Sequence, residues 1–255
     1  RGQILMTADD ALLKKRFSEL AARSVGRDCF VFTDFLGLAE QSLLAECRDT
    51  ERAGVTLFGG IHGCERVMAR FGDPERLGYD EDFPIVCIMA APAAPKFADT
   101  LTHRDLLGAL MNLGIEREVL GDIFLHDGAA YIFAEEKIAP FLLENLTRAK
   151  HTDLCLSAVT PPEGLLIRTE PMTVQVSGER LDAVIARVFG LSREDAQALF
   201  AKGLVYLDGR KTESVSALPH EGNIVSVRTF GRFIYRGVAS LSKKGKLNVL
   251  IEKYI

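Results

Sequence analysis

The stretch RLDAVIARVFGLSREDAQALFAKGLVYLDG, Arg180 to Gly209, decides how the C-terminal third of this chain folds. Leu181, Val184, Ile185, Val188 and Phe189 recur at helical spacing and imply a helix with one apolar face. Gly190-Leu191 makes a turn. Ser192 is placed to cap a second helix, and Asp195 three residues on completes a capping box. That helix buries Ala196, Leu199 and Phe200 and stops at Gly203. A strand, Leu204 to Leu207, runs into the tight turn Asp208-Gly209, and Ile224 to Val227 supplies another strand. Two short helices and a small sheet form one compact unit.

The chemistry of this unit suits a phosphate backbone. Arg180 and Arg193 fall at the starts of the two helices, where free N–H groups and the helix dipole favour anions. A guidinium-type donor pair there adds a planar fork for phosphate, as arginine does. Lys202, Arg210 and Lys211 lie at loop or helix ends. The segment Arg228 to Arg236 is basic, with Phe230 and Phe233 among its arginines, and aromatics beside cations can stack on unpaired bases. The RNA-contact candidates are Arg180, Ser192, Arg193, Lys202, Arg210, Lys211, Arg228, Phe230 and Arg232. The reading requires these groups to share a surface and not to be consumed by carboxylates.

Charge agrees with that placement. The chain of 255 residues carries 31 Lys+Arg and 35 Asp+Glu. From Pro171 to Ile255 there are 13 basic and 8 acidic residues, net +5, which leaves 18 and 27, net −9, for Arg1 to Glu170. Between Glu221 and Glu252 there is no acid, and the window holds Arg228, Arg232, Arg236, Lys243, Lys244 and Lys246. A basic end on an acidic chain implies a polyanion partner for that end.

Upstream, two further lobes are expected. Asp9 to about Phe71 reads as an α/β unit: a helix through Leu13, Phe17, Leu20 and Ala21 stopped by Gly26, a short strand Cys29 to Phe32, a helix Ala39 to Cys47, a strand Val55 to Phe58, and a helix around Cys64 to Phe71. Asp73-Pro74 and Gly78 to Asp82 separate it from the second lobe. There, strand Pro84 to Met89, a helix capped by Thr102 with Asp105, a hairpin about Asp127-Gly128, a helix Glu136 to Leu146 and strand Leu154 to Val159 give the order β-α-β-β-α-β, the ferredoxin-like plan. Thr160 to Gly164 is a linker by composition. The fold class is therefore α+β, with boundaries at 1–75, 76–160, a linker at 161–172, and 173–255. Met6 is a candidate start, and residues 1–5 are set aside.

Other signals are weaker than their structural explanations. His103-Arg104-Asp105 lacks the other parts of a kinase site and reads as a helix start, though His103 and Arg104 could touch RNA. Gly59-Gly60-Ile61-His62-Gly63 lacks the phosphate-loop glycines and lysine, so it reads as a turn for close backbone approach. Tyr131 and Phe133 share a strand face as base-stacking aromatics do, but read as core. Glu135-Glu136 reads as a charged first helical turn. Histidines and the five cysteines (Cys29, Cys47, Cys64, Cys87, Cys155) show no metal spacing and no disulfide framework, so buried free thiols in a reducing cytoplasm are expected. No metal, cofactor, catalytic residue or membrane span is expected.

Arg180-Leu181-Asp182, Ser192-Arg193-x-x-Ala196, Gly203-Leu204-Val205 and Leu207-Asp208-Gly209 resemble the S-four domain, the RNA-binding module named after a small-subunit ribosomal protein. Asn223 and Thr229 depart from its pattern, at positions where glycine-containing turns are common. Phe32-Thr33-Asp34-Phe35-Leu36, Phe58-Gly59-Gly60, the run His103 to Leu110, Leu113-Gly114-Ile115, Gly121-Asp122-Ile123 and Phe230-Gly231-Arg232-Phe233 together resemble the YlmH family of bacterial S-four proteins. That resemblance implies a two-lobed α/β region before the RNA-binding domain, ribosome association, and rRNA or tRNA as partner, extending to quality control of stalled large subunits carrying peptidyl-tRNA. It implies no catalytic activity. S-four domains also ride on pseudouridine synthases and methyltransferases, whose own motifs are not found here. An adaptor is the third class, with the acidic front half holding a protein partner.

Overall fold

A computed structural model of the protein describes residues 8–165, 169–242 and 245–254. Two compact units divide it, residues 6–167 and 168–255. Residues 1–5, Met6, Lys243 and Lys244 lie outside the described residues.

The first unit opens with α1 (Ala8–Arg27), whose Phe17 and Ala21 are buried. Gly26 does not end it: the helix runs one residue further, and Asp28 takes the turn at φ 47°. Then come β1 (Val31–Phe32), α2 (Leu38–Ala45), β2 (Val55–Phe58) and β3 (Met68–Phe71), in the sheet order β1-β3-β2. The expected helix around Cys64 to Phe71 is corrected by β3. All four of its residues are buried, which a central strand covered on both faces tolerates and an amphipathic helix does not. Asp73-Pro74 is likewise no plain loop. Asp73 caps the short α3 (Pro74–Leu77), accepting from the Glu75 amide at 3.0 Å.

The second lobe contains β4 (Ile85–Pro92), α4 (His103–Asn112), β5 (Leu120–His126), β6 (Ala129–Glu135), α5 (Ala139–Asn145), the two-residue β7 (Arg148–Ala149) and β8 (Thr152–Val159). Its antiparallel sheet runs β5-β6-β4-β8-β7. One face buries Ile88, Ile132 and Ala134 against Leu106, Leu110 and Leu142 of the helices. The Thr102–Asp105 capping box forms as the spacing predicts.

The other face of this sheet is partly covered by the first lobe. Phe35 and Met68 pack with Cys87, Phe124, Phe133 and Leu165. Phe133 is 1 % exposed, which agrees with its expected core role. Arg66 joins the lobes, donating from Nε to the Leu120 carbonyl at 2.9 Å and from a terminal nitrogen to those of Phe35 (2.9 Å) and Arg117 (3.1 Å). Gly60, at φ 105°, lies where a Cβ would come within 2.2 Å of the Phe133 ring. Close approach, not phosphate binding, explains the glycines there, and no helix follows them.

The second unit begins at β9 (Thr169–Val176), so the expected linker to Met172 is corrected. Thr169 to Met172 pair with Tyr254 to Ile251 in a strand ladder. Next come α6 (Leu181–Phe189), α7 (Arg193–Ala201), β10 (Val205–Leu207), β11 (Arg210–Lys211), β12 (Ile224–Val227), β13 (Gly231–Leu241) and β14 (Leu247–Tyr254). The sheet order is β11-β10-β12-β13-β14-β9. Val184, Ile185 and Phe200 of the helices pack on Val225, Val227, Phe233, Tyr235, Val249 and Ile251. The helices thus cover one face of the sheet. Of the cysteines, Cys47 and Cys87 are buried and Cys29 and Cys64 half-buried, but Cys155 is exposed on β8, contrary to the expected burial. None of the described helices is long and apolar enough to cross a membrane.

Candidate nucleic-acid interface

Asp182 organises the helix side of the second unit. It is 0 % exposed. Its Oδ1 accepts from Nε of Arg180 at 3.1 Å, and its Oδ2 accepts from a terminal nitrogen of Arg180 (3.2 Å), from Nε of Arg193 (3.2 Å) and from the Gln197 amide (2.7 Å). Burial alone pushes this carboxyl up, but the hydrogen bonds from Gln197, Arg180 and Arg193 outweigh it and hold it below its ordinary value. Arg180 occupies the N-cap of α6 and Arg193 its first position in α7, so the three-residue turn at Gly190 (φ 66°) brings both to one acid. The side chains remain 42 % and 50 % exposed. Arg193 donates within the protein only through Nε, among the described residues, leaving its terminal nitrogens to solvent. Ser192 is occupied: its hydroxyl donates to the Asp195 carboxylate at 2.6 Å and accepts from the Asp195 amide at 3.0 Å.

A second group lies on the sheet face away from the helices. Strand registry aligns Lys211, Tyr206, Ser226 and Arg232 in one row across β11, β10, β12 and β13. Side chains alternate across a strand, so this row opposes the buried Val205, Val225 and Phe233. The Arg228 guanidinium lies 4.9 Å from the Tyr206 ring centre, and that of Arg232 lies 5.1 Å from Tyr254. Lys211 pairs with Glu213 at 3.3 Å, and its stem lies over Gly203, where a Cβ would meet it at 2.5 Å.

Lys202 is exposed at the C-cap of α7, and Arg210 is half-buried on the edge strand. Phe230 is 42 % exposed and packs on Phe189, ring centres 5.8 Å apart. Neither requirement set on the sequence reading is met: the expected single surface is two, Arg180 and Arg193 on the helix side and Arg228 and Arg232 on the open sheet face, and Arg180, Arg193 and Lys211 are paired with carboxylates. Arg236, part of the basic window, is held by Glu252 through bonds of 3.0 and 2.9 Å.

Sequence reasoning left Arg187, Lys246 and Lys253 out of the contact set, though it counted Lys246 in the basic window. Arg187 and Lys246 border the same groove as Arg193. They are separated from it by turns whose folding no local spacing reveals. Lys253 lies 5.6 Å from the Phe189 ring centre, beside Phe230's own partner. In the second lobe, Asp105 is held below its usual range first by the Thr102 hydroxyl, with Lys150 and Arg104 adding to it. The turn Lys150-His151 and the start of α4 thus bring cations near one another. Among the described residues no cluster of His, Cys, Asp or Glu could hold a metal.

A family model described as "Putative RNA-binding domain in YlmH" matches residues 79–161. This segment is the second lobe, which carries 6 Lys+Arg against 13 Asp+Glu. The ribosome-associated protein quality control protein P2 of Bacillus subtilis (strain 168) is 32 % identical over 228 residues, covering 87 % of this chain and 86 % of that protein. Among solved structures, the cell division protein ylmH from Streptococcus pneumoniae aligns at a TM-score of 0.49 and 20 % identity, covering 61 % of this chain and 93 % of that one. On the strength of the Bacillus relative and the family match together, this chain belongs to the YlmH family.

Proposed function

We propose that the protein binds structured RNA on the ribosome, rRNA or tRNA, through its C-terminal unit read as an S-four domain, and acts in quality control of stalled large subunits carrying peptidyl-tRNA. It works as a binder and not as an enzyme, in the cytoplasm. One observation carries the reading: the buried Asp182 carboxylate holds guanidinium groups from two helices side by side. Two cations on one acid leave a net positive charge, and the acid fixes their planes before any ligand arrives. Pre-ordered planar donors lose less entropy on meeting phosphates than free arginines do. Contacts of this kind position a backbone and read little sequence, so preference should follow RNA structure.

The relative's printed name supports the ribosomal setting. The strand order β5-β6-β4-β8 supports reading the second lobe as ferredoxin-like, the plan its β-α-β-β-α-β order suggests. The test is binding of a fluorescein-labelled RNA hairpin by the full chain across a salt series. Affinity falls steeply as salt rises, each phosphate contact adding about −0.7 to −0.9 to the log–log slope. Arg193→Ala weakens binding and leaves thermal unfolding near wild type, because Arg180 still neutralises Asp182. A flat salt response of the wild-type chain overturns the proposal.

A further inference from the structure

We propose that a groove between β9, α6, α7 and Lys246 is a backbone subsite that takes one RNA phosphate with its ribose. The inference rests on the RNA-binding reading above and extends it to residues outside the Asp182 cluster. The groove encloses about 340 Å³. Arg187, Arg193 and Lys246 line it with Gln175, Ser177 and Ser192, over a floor of Val176, Ala183, Ala186 and Leu191. No carboxylate lines it. Acids next to the lining are Asp182, which Arg193 shares with Arg180, Asp195, which takes the Ser192 hydroxyl, and the exposed Glu194.

Counting Arg180, Arg187, Arg193 and Lys246 against Asp182, Glu194 and Asp195 still leaves the rim net positive. Arg187 and Lys246 have no carboxylate partner among the described residues, and both are exposed. Lys246 is not on a loose tail: its amide donates to the Ser242 hydroxyl at 2.9 Å, and its carbonyl accepts from the Ser242 amide at 2.7 Å. These bonds to Ser242 fix the backbone that carries the lysine.

The lining also selects the occupant. Three cations and the Ser177 hydroxyl suit a phosphate. The short aliphatic floor suits a sugar. No aromatic side chain lines the groove, so it offers no platform for stacking a base. A free nucleotide would leave its base unheld, whereas a continuous backbone brings only phosphate and ribose. Arg193 belongs to both places, with Nε on Asp182 while it also lines the groove. The acid thereby sets the cation on the groove's rim.

The experiment uses the full chain carrying Arg187→Ala with Lys246→Ala, and a fluorescein-labelled RNA hairpin in a salt series. The expected result is a Kd raised about tenfold and a log–log slope smaller by about 1.5, the loss of two contacts. Arg187→Lys alone, keeping the charge, retains most of the affinity. Wild-type Kd and slope in the double variant, with Arg193→Ala still weakening binding, overturn the groove and leave the RNA-binding reading standing. Absent salt-dependent binding by the wild-type chain overturns both. A double variant that keeps RNA affinity but no longer co-sediments with ribosomes means the groove meets an acidic protein surface, which also overturns it.

Discussion

Nε of Arg193 donates to Asp182 Oδ2 at 3.2 Å, across eleven residues of sequence, to a carboxylate with no exposed surface. The acid can matter in two ways that predict opposite signs. If it merely cancels charge, removing its charge strengthens RNA binding. If it fixes the planes of Arg180 and Arg193, removing it weakens binding although the chain becomes more positive. The second is expected for Asp182→Asn. Loss of about 1 kcal/mol of pre-organisation corresponds to about a fivefold rise in Kd. Anisotropy with an RNA hairpin at fixed salt reads the sign, and tighter binding by the variant would show that the carboxylate only offsets charge.

The same acid makes stability depend on pH in a stated direction. Asp182 lies below its ordinary 3.8 in the folded protein, so the unfolded chain binds its proton first as pH falls. Its contribution is fully present above the unfolded value and is lost as pH drops through the folded one. Glu252, held down by Arg236, adds in the same direction. The stability that Asp182 and Glu252 contribute is therefore lost as pH falls from about 4 downward. In Asp182→Asn the midpoint starts lower at neutral pH and declines less over the acid range. Parallel curves for the two proteins would remove Asp182 from the acid response.

How much was legible beforehand varies with the range of the forces involved. Caps and turns are local, so the Thr102–Asp105 box, Ser192 as N-cap, Gly190 and the turn Asp127-Gly128 read correctly from spacing, while the expected Ser192–Asp195 box forms only in part, the Asp195 carboxylate taking the Ser192 hydroxyl and not its amide. Met68 to Phe71 did not, because a strand buried on both faces has no alternation, and a short apolar run cannot be told from helix by period. Strand β9 escaped because Thr169 to Met172 is polar and follows prolines, and only its pairing with β14 makes it a strand. In the site, Arg180 and Arg193 were legible as helix starts, but their shared carboxylate was not. The division of the arginines between two sheet faces follows from registry. A linear sequence shows that Arg228 and Arg232 are basic but not which way the sheet presents them.

Burial sorts the thiols. Burial pushes Cys64 up to about 12 and Cys87 up to about 11, so neither forms thiolate near neutral pH. Cys155 is exposed on β8. Titration of the native chain with a thiol reagent should give a fast phase that Cys155→Ser removes, while Cys64 and Cys87 react only on denaturation. A fast phase unchanged by Cys155→Ser would mean that another thiol is the accessible one.

Thr229 stands where the S-four resemblance calls for glycine, and its φ of 72° puts a β-branched residue in the left-handed region. It sits in the three-residue turn Arg228-Thr229-Phe230, which the Val227–Gly231 pairing closes. Strain of this kind costs on the order of 1–3 kcal/mol. Glycine relieves it, at some cost in unfolded-chain entropy. Thr229→Gly should therefore raise stability by about 1 kcal/mol, read as a higher urea midpoint at unchanged m-value. The other departure behaves differently. Asn223 donates to Asp208 at 2.6 Å and accepts from the His220 amide at 2.6 Å, so it ties two turns together. Asn223→Gly should lower the midpoint. Stabilisation by both substitutions would mean that neither residue has a local role, and destabilisation by Thr229→Gly would show that the threonine is held by contacts that outweigh its backbone strain.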